Sequence, residues 1–370
     1  MANASGTEGR PGPRQLGVRI GQREPGAANA ITDVGGVAVG HATVVRDEPA
    51  PPAGRGVART GVTVVVPGAP SSLLGAPVAS GAAVLNGAGE MTGFLQVSEW
   101  GLIQTPVYLT ATMAVGRIFD GAVAAAAAAD PAVGVEDVVI PVVAECDDSW
   151  LSDAVPVQVD AADAGRALAH ALAADAGAAV VQGAVGAGTG MVCFGWKGGI
   201  GTSSRLVPEL GATVGVLVLA NFGAWSELRI DGVPVGRALG APDSERPRPA
   251  GSCIVVVATD APLGAAQLQR VARRAGLGLA RTGSVAHHGS GEIFLAFATA
   301  PTETETLSPP DGALDAIFAG TVEATEEAVL NALWFAHDVR GRDGRLIRAL
   351  PHDDVLELLA AHGRLARSPR

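Results

Sequence analysis

The sequence is short of lysine, tyrosine and cysteine, and each scarcity narrows the chemistry open to it. Lys197 is the only lysine among 26 Lys and Arg residues, so a lysine-based mechanism would have to run through that one side chain. Tyr108 is the only tyrosine, and aromatic residues make up 4% of the chain. The three cysteines, Cys146, Cys193 and Cys253, are widely spaced and odd in number. They match neither a disulfide framework nor a zinc site. There is no HExxH, no phosphate-binding P-loop and no GxSxG elbow. His287 and His288 are adjacent, so on a strand they would face opposite ways and make a poor metal pair. Positive charge is scarce as well. The 26 basic residues against 37 acidic ones leave a net charge of −11, which argues against a general binder of nucleic-acid phosphates. The first residues lack the apolar core of a secretory signal, and apolar runs are broken by Gly, Asp or Pro short of a membrane span. A cytoplasmic location is the expectation.

Glycine and small apolar residues are abundant. With 50 glycines, 48% hydrophobic residues and 17% charged ones, the chain can bury a large core. Residues 1–30 read as poorly ordered. Short apolar runs predict strands at 61–68, 140–145, 212–221, 252–260 and 292–299. Weak alternation in the first of these predicts burial on both faces. Helical patterns fall at 113–129, 160–174, 263–280, 319–338 and 352–360. NGAGEMTG, at 86–93, reads as a loop with close backbone approach, and PDSERPRPAG, at 242–251, as a charged, proline-rich linker. No repeat is evident, and the mixed elements predict a single α/β or α+β domain over residues 1–370.

Four residues stand out for chemistry. At Gly251–Ser252 the hydroxyl could attack the preceding carbonyl, shift the peptide to an ester and, after hydrolysis, leave Ser252 with a free amine beside its hydroxyl. A nucleophile at a chain start carries its own base. A proline–glycine–serine triplet also serves as an ordinary turn. Ser290 and Glu292, two apart on a strand, would share a face and present a hydroxyl with a carboxylate; a turn serine and an edge carboxylate give the same pattern. Asn221 ends a strong strand and could donate to an oxyanion, or could simply enter the turn at Gly223.

Longer motifs resolve these alternatives. AITDVGGVAVGHATV, NGAGEMTG, VVAECDDSWLSD, GAGTGMVCFGWKGGIGTSSR, VLVLANFG, GSCIVVVATDAPL and HHGSGEIFLAFATA occur in order between residues 30 and 300, within a resemblance that covers nearly all of residues 17–340. In these pieces the chain resembles the DmpA/BapA-like serine aminopeptidases, the L-aminopeptidase/D-esterase and beta-peptidyl aminopeptidase group. The resemblance implies a four-layer α/β/β/α arrangement, the DOM fold, which is Ntn-hydrolase-like with different connectivity. It implies cleavage between Gly251 and Ser252, giving an alpha chain 1–251 and a beta chain 252–370. Ser252 matches the nucleophile, Ser290 and Glu292 the pair around it, Asn221 the oxyanion-stabilising amide, and Glu145 the carboxylate that receives the substrate ammonium. Asp147 occupies a substrate-side position where some members carry tyrosine.

The implied activity is hydrolysis of peptides, amino-acid amides or esters with a free amine, by a homotetramer of processed heterodimers, without metal or organic cofactor. An amide-oligomer hydrolase or acyltransferase of the same fold, and an inactive homologue, are the alternatives.

Overall fold

The computed structural model describes residues 10–156, 158–242, 251–300 and 312–366. In chain order the strands are β1 (Ala38–Asp47), β2 (Val57–Val66), β3 (Val78–Gly87), β4 (Leu102–Ile103), β5 (Val107–Ala111), β6 (Val142–Cys146), β7 (Val192–Cys193), β8 (Trp196–Lys197), β9 (Gly199–Val207), β10 (Ala212–Asn221), β11 (Gly251–Thr259), β12 (Ser290–Ala298), β13 (Val339–Arg340) and β14 (Leu346–Ile347). The helices are α1 (Phe94–Trp100), α2 (Val115–Ala129), α3 (Ala161–Ala173), α4 (Val235–Leu239), α5 (Ala265–Arg281), α6 (Ala313–Trp334) and α7 (His352–Ala361).

Two sheets carry the architecture. One has the order β1-β2-β5-β6, and the other β4-β3-β12-β11-β10-β9. Strand residues alternate between faces, and here both faces are apolar. In β10, Leu217 and Leu219 enter the core between the sheets, whereas Val216 and Val218 enter the core under the helices. Ile254 and Val256 against Val255 and Val257 divide β11 the same way. Such double burial produces the continuous valine and leucine runs of the sequence. Helices α2 and α3 cover the outer face of the first sheet, and α5 and α6 that of the second. The result is the expected α/β/β/α layering.

Small residues let these layers close. A Cβ on Gly201 of β9 would overlap the Ala328 carbonyl oxygen of α6, and one on Gly40 of β1 would overlap that of Ala167 in α3. Burial at these contacts depends on backbone meeting backbone.

Two expectations need correction. Residues 10–30 are held in place: the Arg14 guanidinium pairs with Glu327 of α6 at 2.7 Å, and Arg205 of β9 reaches the same carboxylate at 2.6 Å. The apolar segment Thr112–Ala129 does have the length and composition of a membrane-crossing helix; here α2, which makes up most of it, packs on α3 and the first sheet. Within the linker at 242–251, positions 243–250 lie outside the described residues.

Candidate active site

Ser252 is the second residue of β11, and its neighbours follow from strand pairing. Antiparallel β10 sets Asn221 opposite Ser252, and parallel β12 sets Gly291 opposite it on the other side. The Ser252 hydroxyl is buried and its Oγ accepts from the Gly291 N–H at 3.3 Å. Gly251 has a φ of 155°, and a Cβ there would collide with the Asn221 carbonyl oxygen. A side chain is therefore excluded at the residue before Ser252, which leaves the Gly251 carbonyl unobstructed on that side.

Asn221 is fixed at both ends of its amide. Its Oδ1 accepts from the Val192 N–H at 2.8 Å, and its Nδ2 donates to the Asp147 carbonyl oxygen at 2.9 Å. An amide nitrogen has two hydrogens, and one of them is committed to this bond. The Val192 segment is in turn tied down by Lys197. This fully buried side chain donates from Nζ to the carbonyls of Gly188, Met191 and Gly198 at 2.7–2.9 Å. Burial draws the Lys197 pKa down to about 7, while three carbonyls match the three hydrogens of an ammonium. Its place is beneath the loop, as a structural clamp.

Ser290 and Glu292 share one face of β12, as their spacing requires, and the Ser290 hydroxyl donates to Glu292 Oε1. Glu292 is fully buried; its Oε2 has no hydrogen-bond partner among the described residues. Burial raises its pKa, and the Ser290 bond works against that rise. Ser290 and Glu292 lie on either side of Gly291, the β12 partner of Ser252, on the strand face that carries Phe294 and Ala296.

Glu145 arrives from the other sheet, near the end of β6. Oε1 accepts from the Glu90 N–H at 2.9 Å, and Oε2 from the Thr112 hydroxyl. Burial raises its pKa most; the two hydrogen bonds oppose the rise, and the nearby Asp147 and Glu90 carboxylates add to it. Gly89 joins this carboxylate to the surroundings of Ser252. A Cβ on Gly89 would lie 3.0 Å from Glu145 Oε1 and 3.7 Å from the Gly291 Cα. Asp147 itself is exposed, and its carboxylate is engaged by the Ser149 N–H at 2.9 Å and hydroxyl at 3.0 Å. Its main-chain carbonyl, which orients Asn221, is its contact with these side chains.

The structure thus gathers Ser252, Asn221, Glu145 and the Asp147 backbone around the start of β11, with Ser290 and Glu292 at the start of the adjacent β12. Thr112, Val192 and the Gly291 N–H were not foreseen. Backbone donors leave no trace in residue identity, and Thr112 meets Glu145 only through the fold, from the 3-10 turn that follows β5. The lone tyrosine, Tyr108, is buried under α2 and α3, away from this group. His287 lies outside a strand and pairs with Glu227 at 3.0 Å, and no cluster of three metal-ligating side chains occurs among the described residues.

Residues 29–347 match peptidase family S58. The chain belongs to this family. It is 40% identical over 377 residues to the beta-peptidyl aminopeptidase BapA of Sphingosinicella xenopeptidilytica, covering 95% of this chain and 91% of that protein. The fold superposes on a Burkholderia sp. beta-aminopeptidase with a TM-score of 0.84 and 39% identity, covering 97% of this chain and all of the other. For the L-aminopeptidase D-Ala-esterase/amidase of Ochrobactrum anthropi, described as a prototype serine aminopeptidase and a variant of the Ntn-hydrolase fold, the TM-score is 0.85 at 37% identity. That match covers 96% of this chain and all of the other. The S58 chain described here is accordingly an α/β enzyme with an Ntn-hydrolase-like fold and belongs with the self-processing serine aminopeptidases.

Proposed function

We propose that this S58 chain cuts itself between Gly251 and Ser252 and then hydrolyses amides or esters of substrates that carry a free N-terminal amine. The observation that carries the reading is the register placing Ser252 between Asn221 and Gly291, with Glu145 one glycine away. In the first reaction Ser252 Oγ bonds to the Gly251 carbonyl carbon. The C–N bond breaks, the nitrogen takes up the hydroxyl proton, and water cleaves the resulting ester to a Gly251 carboxylate and a free Ser252 amine. In turnover, Oγ attacks the substrate's acyl carbon as the Ser252 amine accepts its proton. The carbonyl electron pair moves onto oxygen, where the second Asn221 N–H stabilises it. Collapse of that intermediate expels the leaving amine or alcohol, which takes the proton. Water then releases the acid from the ester with Ser252.

Glu145 supplies selectivity in this scheme. A buried carboxylate left without an ammonium makes N-blocked substrates poor. The three cysteines are free and buried, in keeping with a reducing compartment and the proposed cytoplasmic location. The relatives' chemistry supports peptides, amino-acid amides or esters as substrates, and the resemblance supports a homotetramer of processed pairs.

Denaturing mass spectrometry tests the reading directly. The parent should give two pieces joining at Gly251/Ser252, with a native mass of roughly four times 36.9 kDa. Ser252→Ala should remain full-length and inactive. The same two pieces from that variant would overturn the intramolecular mechanism, and a parent that is active while uncut would overturn the requirement for processing. A parent that stays monomeric over a wide concentration range would reject the assembly.

A further inference from the structure

Beside Glu145 the surface opens into a groove of about 470 Å³ that the catalytic steps above leave unused. Its lining is mainly apolar: Val84, Met91, Phe94, Leu95, Ile140 and Ile293 contribute, and Glu90 is its one charged residue. The backbone N–H of Glu90 is already directed at Glu145.

Two features connect this groove with the site. Gly89 is a wall common to both, since a Cβ there would lie 3.0 Å from Glu145 Oε1 and 3.8 Å from Ile293 Cδ1. Gly87, at the groove's edge, pairs with Gly291, whose N–H holds the nucleophile's oxygen. The sheet order then supplies direction. Within β3-β12-β11-β10, Ser252 lies on β11, Asn221 on β10 and the groove over β3 and β12. Oxyanion stabilisation and the groove are therefore on opposite sides of the nucleophile. Neighbouring strands are about 4.8 Å apart, so β3 is about 10 Å from Ser252. That distance is spanned by the ammonium-bearing carbon of a substrate and a side chain of several carbons.

We propose that the groove receives the side chain of the substrate's N-terminal residue and confers a preference for apolar side chains of four or more carbons. This assignment rests on the aminopeptidase reading. A methyl group would stop short of the apolar walls. Each further methylene that reaches them leaves water, which is worth roughly fourfold in binding.

The test is a kcat/KM series on the processed enzyme with p-nitroanilides of alanine, 2-aminobutyrate, norvaline and norleucine. The expected result is a rise of about tenfold or more from alanine to norleucine. Ile140→Asp and Leu95→Asp alter exposed positions at the groove and lie outside the catalytic group. Each should flatten the series while leaving alanine p-nitroanilide turnover close to parental. A flat series in the parent, or an undiminished norleucine preference in both variants, overturns the groove assignment while alanine turnover upholds the underlying activity. Absence of turnover on every anilide by fully processed protein overturns the aminopeptidase reading, and the groove assignment with it.

Discussion

Glu145 and Glu292 enter the site from different sheets and are held in different ways. Glu145, on the four-stranded sheet, has a donor on each oxygen: the Glu90 N–H and the Thr112 hydroxyl. Glu292, on the six-stranded sheet, receives the Ser290 hydroxyl on Oε1, while Oε2 is without a partner among the described residues. Burial raises the pKa of both. A buried acceptor lacking a donor is costly, so native proteins seldom keep one without a use. The contrast separates a carboxylate with a donor on each oxygen from one still short of a donor. In the proposed reaction Glu145 is oriented before substrate arrives and needs only the ammonium. Glu292 is one donor short among the described residues.

The largest effect is expected at the unfinished member. Glu292→Gln keeps the shape but removes the charge that would support the Ser252 amine, and kcat should fall by about 10²–10⁴-fold, the usual worth of a proton-transfer group. Steady-state kinetics on protein whose cleavage has been verified by mass would measure this. A kcat within a factor of two of the parent would break the comparison.

Glu145→Gln should be milder. A hydrogen bond to a charged group is worth roughly 1.5–3 kcal/mol, or about 10- to 150-fold in kcat/KM on free-amine amides. Processing should proceed normally, because the Gly251–Ser252 peptide has no free amine to recognise. The pH profile sharpens the point. Since burial holds the Glu145 pKa above the ordinary 4.5, kcat/KM of the parent should drop as pH falls through a value above 4.5. The neutral glutamine should lack that limb. Wild-type kcat/KM in the variant, with the limb intact, would remove Glu145 from the anchor role.

The smallest effect belongs to a supporting donor. Thr112→Val deletes the hydroxyl on Glu145 Oε2, and one hydrogen bond at about 1 kcal/mol gives a loss of roughly fivefold in kcat/KM. That hydroxyl lowers the Glu145 pKa, so its removal should move the acid limb to higher pH. A limb that stays in place or moves down would show that Thr112 does not support the ionised form.

Much of the fold was legible in local pattern. The strand predicted at 212–221 coincides with β10, and the helices predicted at 113–129 and 160–174 fall on α2 and α3. β3 was passed over because glycines and alanines give it little apolar signal, although it lies beside β12 in the larger sheet. The disorder expected for residues 10–30 failed for a related reason. Their composition is that of a loop, but Glu327 and Arg205, distant in sequence, hold them. At the site, Ser252, Ser290, Glu292, Asn221 and Glu145 were named from motifs. The supporting groups Val192, Gly291 and Thr112 act through backbone N–H groups or a contact between segments distant in sequence, and motifs do not report such contacts.

The sequence alone determined the periodic runs that become strands and helices, the Gly251–Ser252 pair, and the same-face placement of Ser290 with Glu292. These depend on covalent neighbours and on the two-residue repeat of a strand. Tertiary structure decided that Asn221 stands opposite Ser252, that Glu145 reaches Gly89 from the second sheet, and that Asp147 contributes its carbonyl to Asn221 while Ser149 holds its carboxylate. Those outcomes depend on strand register and sheet-to-sheet packing. A one-residue slip would turn every side chain of a strand to the opposite face, and register is chosen by the fit of both buried faces at once.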